Sequence, residues 1–143
     1  MSLFSVFNIS GSALNAQTIR LNTTASNLAN AESVAGDPAK VYRARHPVFQ
    51  TMLDQSDTGV GADAAGAAAG VRVLGVVQST TPPLARYEPN NPLANKDGYV
   101  YMSNVNSIEE MTNMISANRS FATNVEAINT ARDLLLKTIA MGH

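Results

Sequence analysis

Apolar side chains recur at Phe7, Leu14, Leu21 and Leu28, an unbroken spacing of seven. Leu3, Gly11, Thr18 and Ala25 fill the intervening slots, so the spacing predicts a helix with a stripe close to a coiled-coil seam. A second stripe of Asn8, Asn15 and Asn22 runs beside it, also at sevens. Asparagine is a poor helix former, so a helix built this way needs packing contacts to hold it. Gly36 and Pro38 are stop signals. The predicted first region is therefore an assembly helix over residues 1–35.

The other end of the chain repeats the device. Ser107-Ile-Glu-Glu110 reads as a capping box, with Glu109 and Glu110 also complementing the positive end of the helix dipole. Lys137 lies near the negative end, and Gly142 is a candidate closing residue. Met114, Phe121, Ile128 and Leu135 recur at sevens, and beside them run Ile108, Met111, Ile115, Ala122, Val125, Leu136 and Ile139. A helix of about 35 residues is a rod of roughly 50 Å. Its apolar face is wider than one partner helix covers, and a chain this short has little else to cover it with. Residues 107–143 are thus expected to form a second assembly helix.

Residues 36–106 have β character instead. Lys40 to Leu53 is expected to hold a short strand up to His46, with Pro47 interrupting it. Residues 55–70 are Gly/Ala-rich and read as a flexible loop. Val71 to Gln78 is β-branched and strand-like, and Asn95-Lys-Asp-Gly98 is a turn leading into a strand at Tyr99-Val-Tyr-Met. Thr81-Pro-Pro and Tyr87-Glu-Pro-Asn-Asn-Pro read as turns. The expected fold class is mainly α with a small β insert (α+β). Its long N- and C-terminal helices would pair as a coiled-coil-like hairpin and still leave apolar surface.

Composition sharpens that picture. Of 143 residues only 15% are charged, with ten Lys plus Arg against eleven Asp plus Glu, for a net charge of −1. Asn, Gln, Ser and Thr total 41, so polarity is carried by amides and hydroxyls, which suit permanent contact with neighbours. A balanced charge argues against a basic nucleic-acid binder or a polybasic membrane-surface protein. The absence of cysteine excludes disulfides, thiolate metal sites and cysteine nucleophiles. Residues 1–12 lack the basic and continuous apolar segments of a cleaved signal peptide. The expectation is a cytoplasmic chain, or one exported without such a signal.

Little in the sequence points to chemistry. Gly59-Val-Gly-Ala-Asp-Ala64 matches a degenerate dinucleotide fingerprint but lacks the preceding strand and following helix. Gly66 and Gly70 lie outside any apolar segment long enough to span a membrane. His46 and His143 have no ligand partner one helical turn away, and Glu109 and Glu110 diverge by about 100° on a helix. Arg43 and Arg45 flank Ala44 on one strand face, where they suit a partner contact. No catalytic residue, cofactor or metal is expected.

Three segments carry a family resemblance. Leu21-Asn-Thr-Thr-Ala-Ser-Asn-Leu-Ala-Asn-Ala31 resembles the N-terminal signature of bacterial flagellar rod and hook proteins. Tyr87-Glu-Pro-Asn-Asn-Pro-Leu-Ala-Asn-Lys-Asp-Gly-Tyr-Val-Tyr101 and the block from Val105 to Glu126 resemble the proximal-rod members, although Ser103 stands where they usually have proline. The resemblance implies a structural subunit rather than an enzyme, polymerising through its terminal helices into the torque-transmitting rod around an export channel. It implies export through the flagellar type III apparatus without a cleaved signal, and a periplasmic place in the basal body. The implied partners are copies of itself, other rod proteins, the export apparatus and the motor base ring. No nucleic acid or small-molecule substrate is implied. The expected assembly residues are Phe7, Leu14, Leu21, Leu28, Asn8, Asn15, Asn22, Asn27 and Asn30 at one end. At the other they are Ile108, Met111, Met114, Ile115, Phe121, Val125, Ile128, Leu135 and Ile139. On the residues alone, a soluble helical oligomer or adaptor of an export apparatus stays open, as does a small enzyme.

Overall fold

The computed structural model describes residues 3–53 and 68–141. In chain order its elements are α1 (Leu3–Ala29), β1 (Val34–Ala35), β2 (Arg45–Leu53), β3 (Ala68–Gln78), β4 (Leu84–Tyr87), β5 (Tyr99–Met102) and α2 (Ser107–Met141). Long helices at each end and short strands between them make an α+β fold. The described residues fall into two compact units. One takes residues within 1–19, 48–75 and 117–143, and the other takes 20–47 and 76–116. The segment Gly59–Ala64 that matches a degenerate dinucleotide fingerprint, Gly66, Gly142, His143 and residues 55–67 of the Gly/Ala loop lie outside the described residues.

Helix α1 stops at Ala29, short of the boundary at residue 35 that Gly36 and Pro38 suggested. Polar side chains end it first. Asn30 Nδ2 donates to the Ser26 carbonyl and Ser33 Oγ to the Asn30 carbonyl, each beside the backbone N–H of the same residue, so local side-chain bonds compete with continuation of the helix. Released from the helix, Val34 and Ala35 pair antiparallel with Met102 and Tyr101 of β5. The Ser103 N–H extends that pairing by donating to the Ser33 carbonyl at 3.1 Å, a bond a proline in its place would forfeit.

Strand β5 is the centre of a three-stranded sheet ordered β1-β5-β4. Its Val100 is buried, and Leu84–Tyr87 run antiparallel along the other edge with every side chain exposed. The Asn95–Gly98 turn supplies the register. Asn95 Oδ1 accepts from the Asp97 and Tyr99 N–H groups, and Gly98 takes a φ of 80°, where a side chain would be strained. The Tyr87 and Tyr99 rings then meet edge to face, with centroids 5.2 Å apart.

Strands β2 and β3 make a separate two-stranded sheet. Here the sequence-based boundaries are corrected twice. β2 runs from Arg45 through Pro47 to Leu53, where a strand ending at His46 was expected. A two-stranded sheet leaves each strand one unpaired edge, so proline is tolerated without loss of a ladder bond. β3 begins at Ala68, so residues 68–70 belong to a strand rather than to the loop. In the first unit, Ser12 Oγ donates to the Ile9 carbonyl and accepts the Val71 N–H at 3.0 Å, joining α1 to β3. Gly70, with φ of 150°, gives that hydroxyl room, because a Cβ there would lie 2.6 Å from it.

The cap of α2 is one residue earlier than the sequence suggested. Asn106 Oδ1 accepts from the Ile108 N–H at 3.1 Å and from the Glu109 N–H at 3.4 Å, so Asn106 is the capping side chain and Ser107 the first helical residue. Glu109 stays exposed near the positive end of the dipole, whereas Glu110 is turned inward and only 4% exposed. Its Oε2 and the Gln17 Oε1 are buried without a hydrogen-bond partner.

Candidate assembly surface

Each long helix sorts its side chains by heptad position, and α2 does so on two sides. The inward seam is Glu110, Met114, Ala117, Phe121, Asn124, Ile128, Ala131 and Leu135, all buried or half-buried. Ala117 and Ala131 let a packing partner approach closely between the larger side chains. The outward seam runs Ile108, Met111, Ile115, Asn118, Ala122, Val125, Asn129, Arg132, Leu136 and Ile139, all exposed except half-buried Val125. Ile108 is 77% exposed, Met111 52% and Ile115 55%. The two stripes read from the sequence as one wide face are therefore used differently: the Met114–Leu135 series is covered by the chain, the Ile108–Ile139 series is left open.

The same separation is seen in α1. Phe7, Leu14, Leu21 and Leu28 are half-buried. Asn8, Gly11, Asn15, Thr18, Asn22, Ala25 and Ala29 alternate in steps of three and four along one line, and all seven are exposed. Gly11, Thr18 and Ala25 thus join the asparagine stripe instead of lying with the leucines as expected. Within the second unit, Arg20 Nη2 of α1 donates to Asn113 Oδ1 of α2 at 3.2 Å.

Asn27 and Asn30 differ from the other asparagines. Asn27 is 0% exposed; its Oδ1 accepts from the Tyr42 hydroxyl and the Arg45 N–H, both at 2.9 Å, and its Nδ2 donates to the Arg45 carbonyl at 2.8 Å. This one amide therefore ties the end of α1 to the start of β2. Asn30 is committed to the helix end.

Several exposed apolar residues were not singled out from the sequence. Leu134 and Met141 extend the open surface of α2, while Val48, Phe49, Met52, Leu74, Val76 and Val77 are exposed on β2 and β3. Leu134 belongs to neither seam, which is why spacing missed it. The strand residues are dense in both strands, and density without alternation gives no inward or outward assignment. Among the described residues no group of three His, Asp or Glu side chains is placed to hold a metal ion, and no helix is long and apolar enough to cross a membrane.

Comparison with known proteins places the two ends first. Residues 7–36 match the family described as flagella basal body rod protein, and residues 96–141 match the flagellar basal body rod FlgEFG protein C-terminal family. Those segments contain most of both heptad-patterned helices. Over full length, the flagellar basal-body rod protein FlgC of Escherichia coli O6:H1 is 47% identical, covering 99% of each chain. Its namesake from Salmonella typhimurium is 46% identical at the same coverage. Another, from Buchnera aphidicola of Schizaphis graminum, is 41% identical, also covering 99% of each. With two family models on the helical ends and such relatives spanning the whole, the chain belongs to the FlgC family of flagellar basal-body rod proteins.

Proposed function

We propose that this protein is a structural subunit of the proximal rod of the flagellar basal body, assembling through the outward seams of its two terminal helices. The observation that carries the reading is the exposed apolar seam of α2 from Ile108 to Ile139, in a chain whose relatives are rod proteins. A seam of Ile, Met, Val and Leu left in water loses roughly 25 cal/mol for each Å² it fails to bury, so a subunit carrying it gains by association. The exposed seam of α1 carries smaller side chains. Small residues at Gly11, Ala25 and Ala29 allow close backbone approach, and Asn8, Asn15 and Asn22 add directional amide bonds that fix register. The larger seam of one subunit would pack on the smaller seam of the next, as a coiled-coil-like layer. Heptad spacing on both sides supports such pairing.

The partners in this reading are further copies of the chain and other rod proteins. Passage through the flagellar export apparatus without a cleaved signal, a periplasmic position and contact with the motor base ring extend the same reading. A cysteine-free chain of low charge density suits transit in extended form. The test is co-purification: an epitope-labelled copy, expressed in a flagellate bacterium lacking its own proximal rod protein of this family, is expected to restore motility and to remain in detergent-extracted basal bodies. A labelled chain that accumulates outside the basal body while motility stays absent would overturn the reading.

A further inference from the structure

In the second unit, the segment between β1 and β2 borders an open cleft of about 430 Å³. Lys40, Arg43 and Arg45 line it beside Tyr42, Asn30 and Gln78, and no carboxylate is among the lining residues. None of the three cations forms an ion pair with a described residue; the pair that is present joins Arg86 to Glu88. Asp37, the acidic residue nearest Lys40 in the chain, has its Oδ1 engaged by the Ala39 N–H in a local turn. A cleft walled by one sign of charge focuses potential and favours an anion within it.

The cleft is held in shape from behind. Asn27, fully buried, bonds the Tyr42 hydroxyl and both backbone groups of Arg45, and the Arg45 guanidinium lies 5.3 Å from the centre of the Tyr42 ring. Three cations brought together in a chain of net charge −1 repel one another unless an anion joins them.

We propose that this cleft docks an acidic segment of a neighbouring protein, whose Asp or Glu side chains pair with Lys40, Arg43 and Arg45. The planar arginine fork matches a carboxylate with two parallel bonds. Nucleic acid is the poorer fit. Arg45 lies over one face of Tyr42, which is the single aromatic ring lining the cleft, so successive bases have no series of rings to stack on. The inference concerns a surface distinct from the helical seams and holds whether or not those seams mediate assembly.

The test uses the purified full chain and a fluorescein-labelled peptide of consecutive glutamates flanked by glycine and serine, followed by anisotropy at low ionic strength. Saturable binding is expected, weakening as salt is raised. It should fall about tenfold in the Lys40→Gln/Arg43→Gln double variant, since two exposed charge pairs are removed. Arg86→Gln, whose partner is Glu88, should leave it unchanged. The reversed variant Lys40→Glu/Arg43→Glu should instead take up an oligolysine peptide. Should the double variant lose its helical circular dichroism, Arg43→Gln alone gives the same reading with a smaller drop. Equal binding by these variants, no saturable binding to the unsubstituted chain, or a short single-stranded DNA displacing the peptide with higher affinity would each overturn the proposal.

Discussion

Replacing Asn27 by alanine is expected to destabilise the chain by about 3 kcal/mol, roughly 10 °C in Tm. The cause is what the substitution leaves behind. The Arg45 N–H and C=O and the Tyr42 hydroxyl all lose a partner, and a buried polar group left unsatisfied costs about 1–3 kcal/mol. The Tyr42 hydroxyl retains Ser26 Oγ at 3.2 Å, which limits the loss to the two backbone groups and part of the third. Asn27→Asp tests the geometry further: it keeps the acceptor but turns a second oxygen on the Arg45 carbonyl, so it should not rescue. Asn22→Ala, on the exposed line of the same helix, should stay within about 0.5 kcal/mol of the parent. Thermal unfolding followed by circular dichroism separates the three. An Asn27→Ala chain as stable as Asn22→Ala would remove Asn27 from its bracing role.

The double substitution Met111→Asp/Ile115→Asp is expected to leave the isolated chain folded and to eliminate its incorporation into basal bodies. Both positions are more than half exposed, so the subunit itself loses little. In an assembled layer each would bury a carboxylate where an apolar side chain belongs. The lost burial is about 1.5–3 kcal/mol per side chain, and desolvation of the charge adds to it. Together these exceed about 4 kcal/mol, a thousandfold in association. The substitutions Leu21→Asp and Ile128→Asp are less informative, because both residues are half-buried within the chain and would damage the fold as well. Retention in extracted basal bodies, scored against circular dichroism of the purified variant, distinguishes the two classes. Normal incorporation of Met111→Asp/Ile115→Asp would place assembly elsewhere.

Both helices were legible in the sequence because a seven-residue repeat survives whatever the helix packs on. Their spacing alone did not say which repeat faces the chain and which faces away, since Met114 and Ile115 are neighbours in both sequence and apolarity. The end of α1 was misplaced for a different reason: Asn30 and Ser33 terminate it by side-chain bonds, ahead of the conventional glycine and proline signals. Strand β4 was hidden between Pro82-Pro83 and Pro89, its four residues exposed and held only by pairing to β5. The cleft was half legible, in Arg43 and Arg45. Its shape depends on Asn27, distant in sequence and taken there for a surface residue.

The central claim is that the exposed helical seams become buried between subunits. Because the chain has no cysteine, Ile115→Cys and Asn15→Cys each introduce a single thiol, one on each seam. Maleimide labelling of each variant, free and within intact basal bodies, measures burial directly. Both thiols should react readily in the free chain, resist the reagent in intact basal bodies and become reactive again on disassembly. Equal reactivity in the free and assembled states would contradict assembly through these seams.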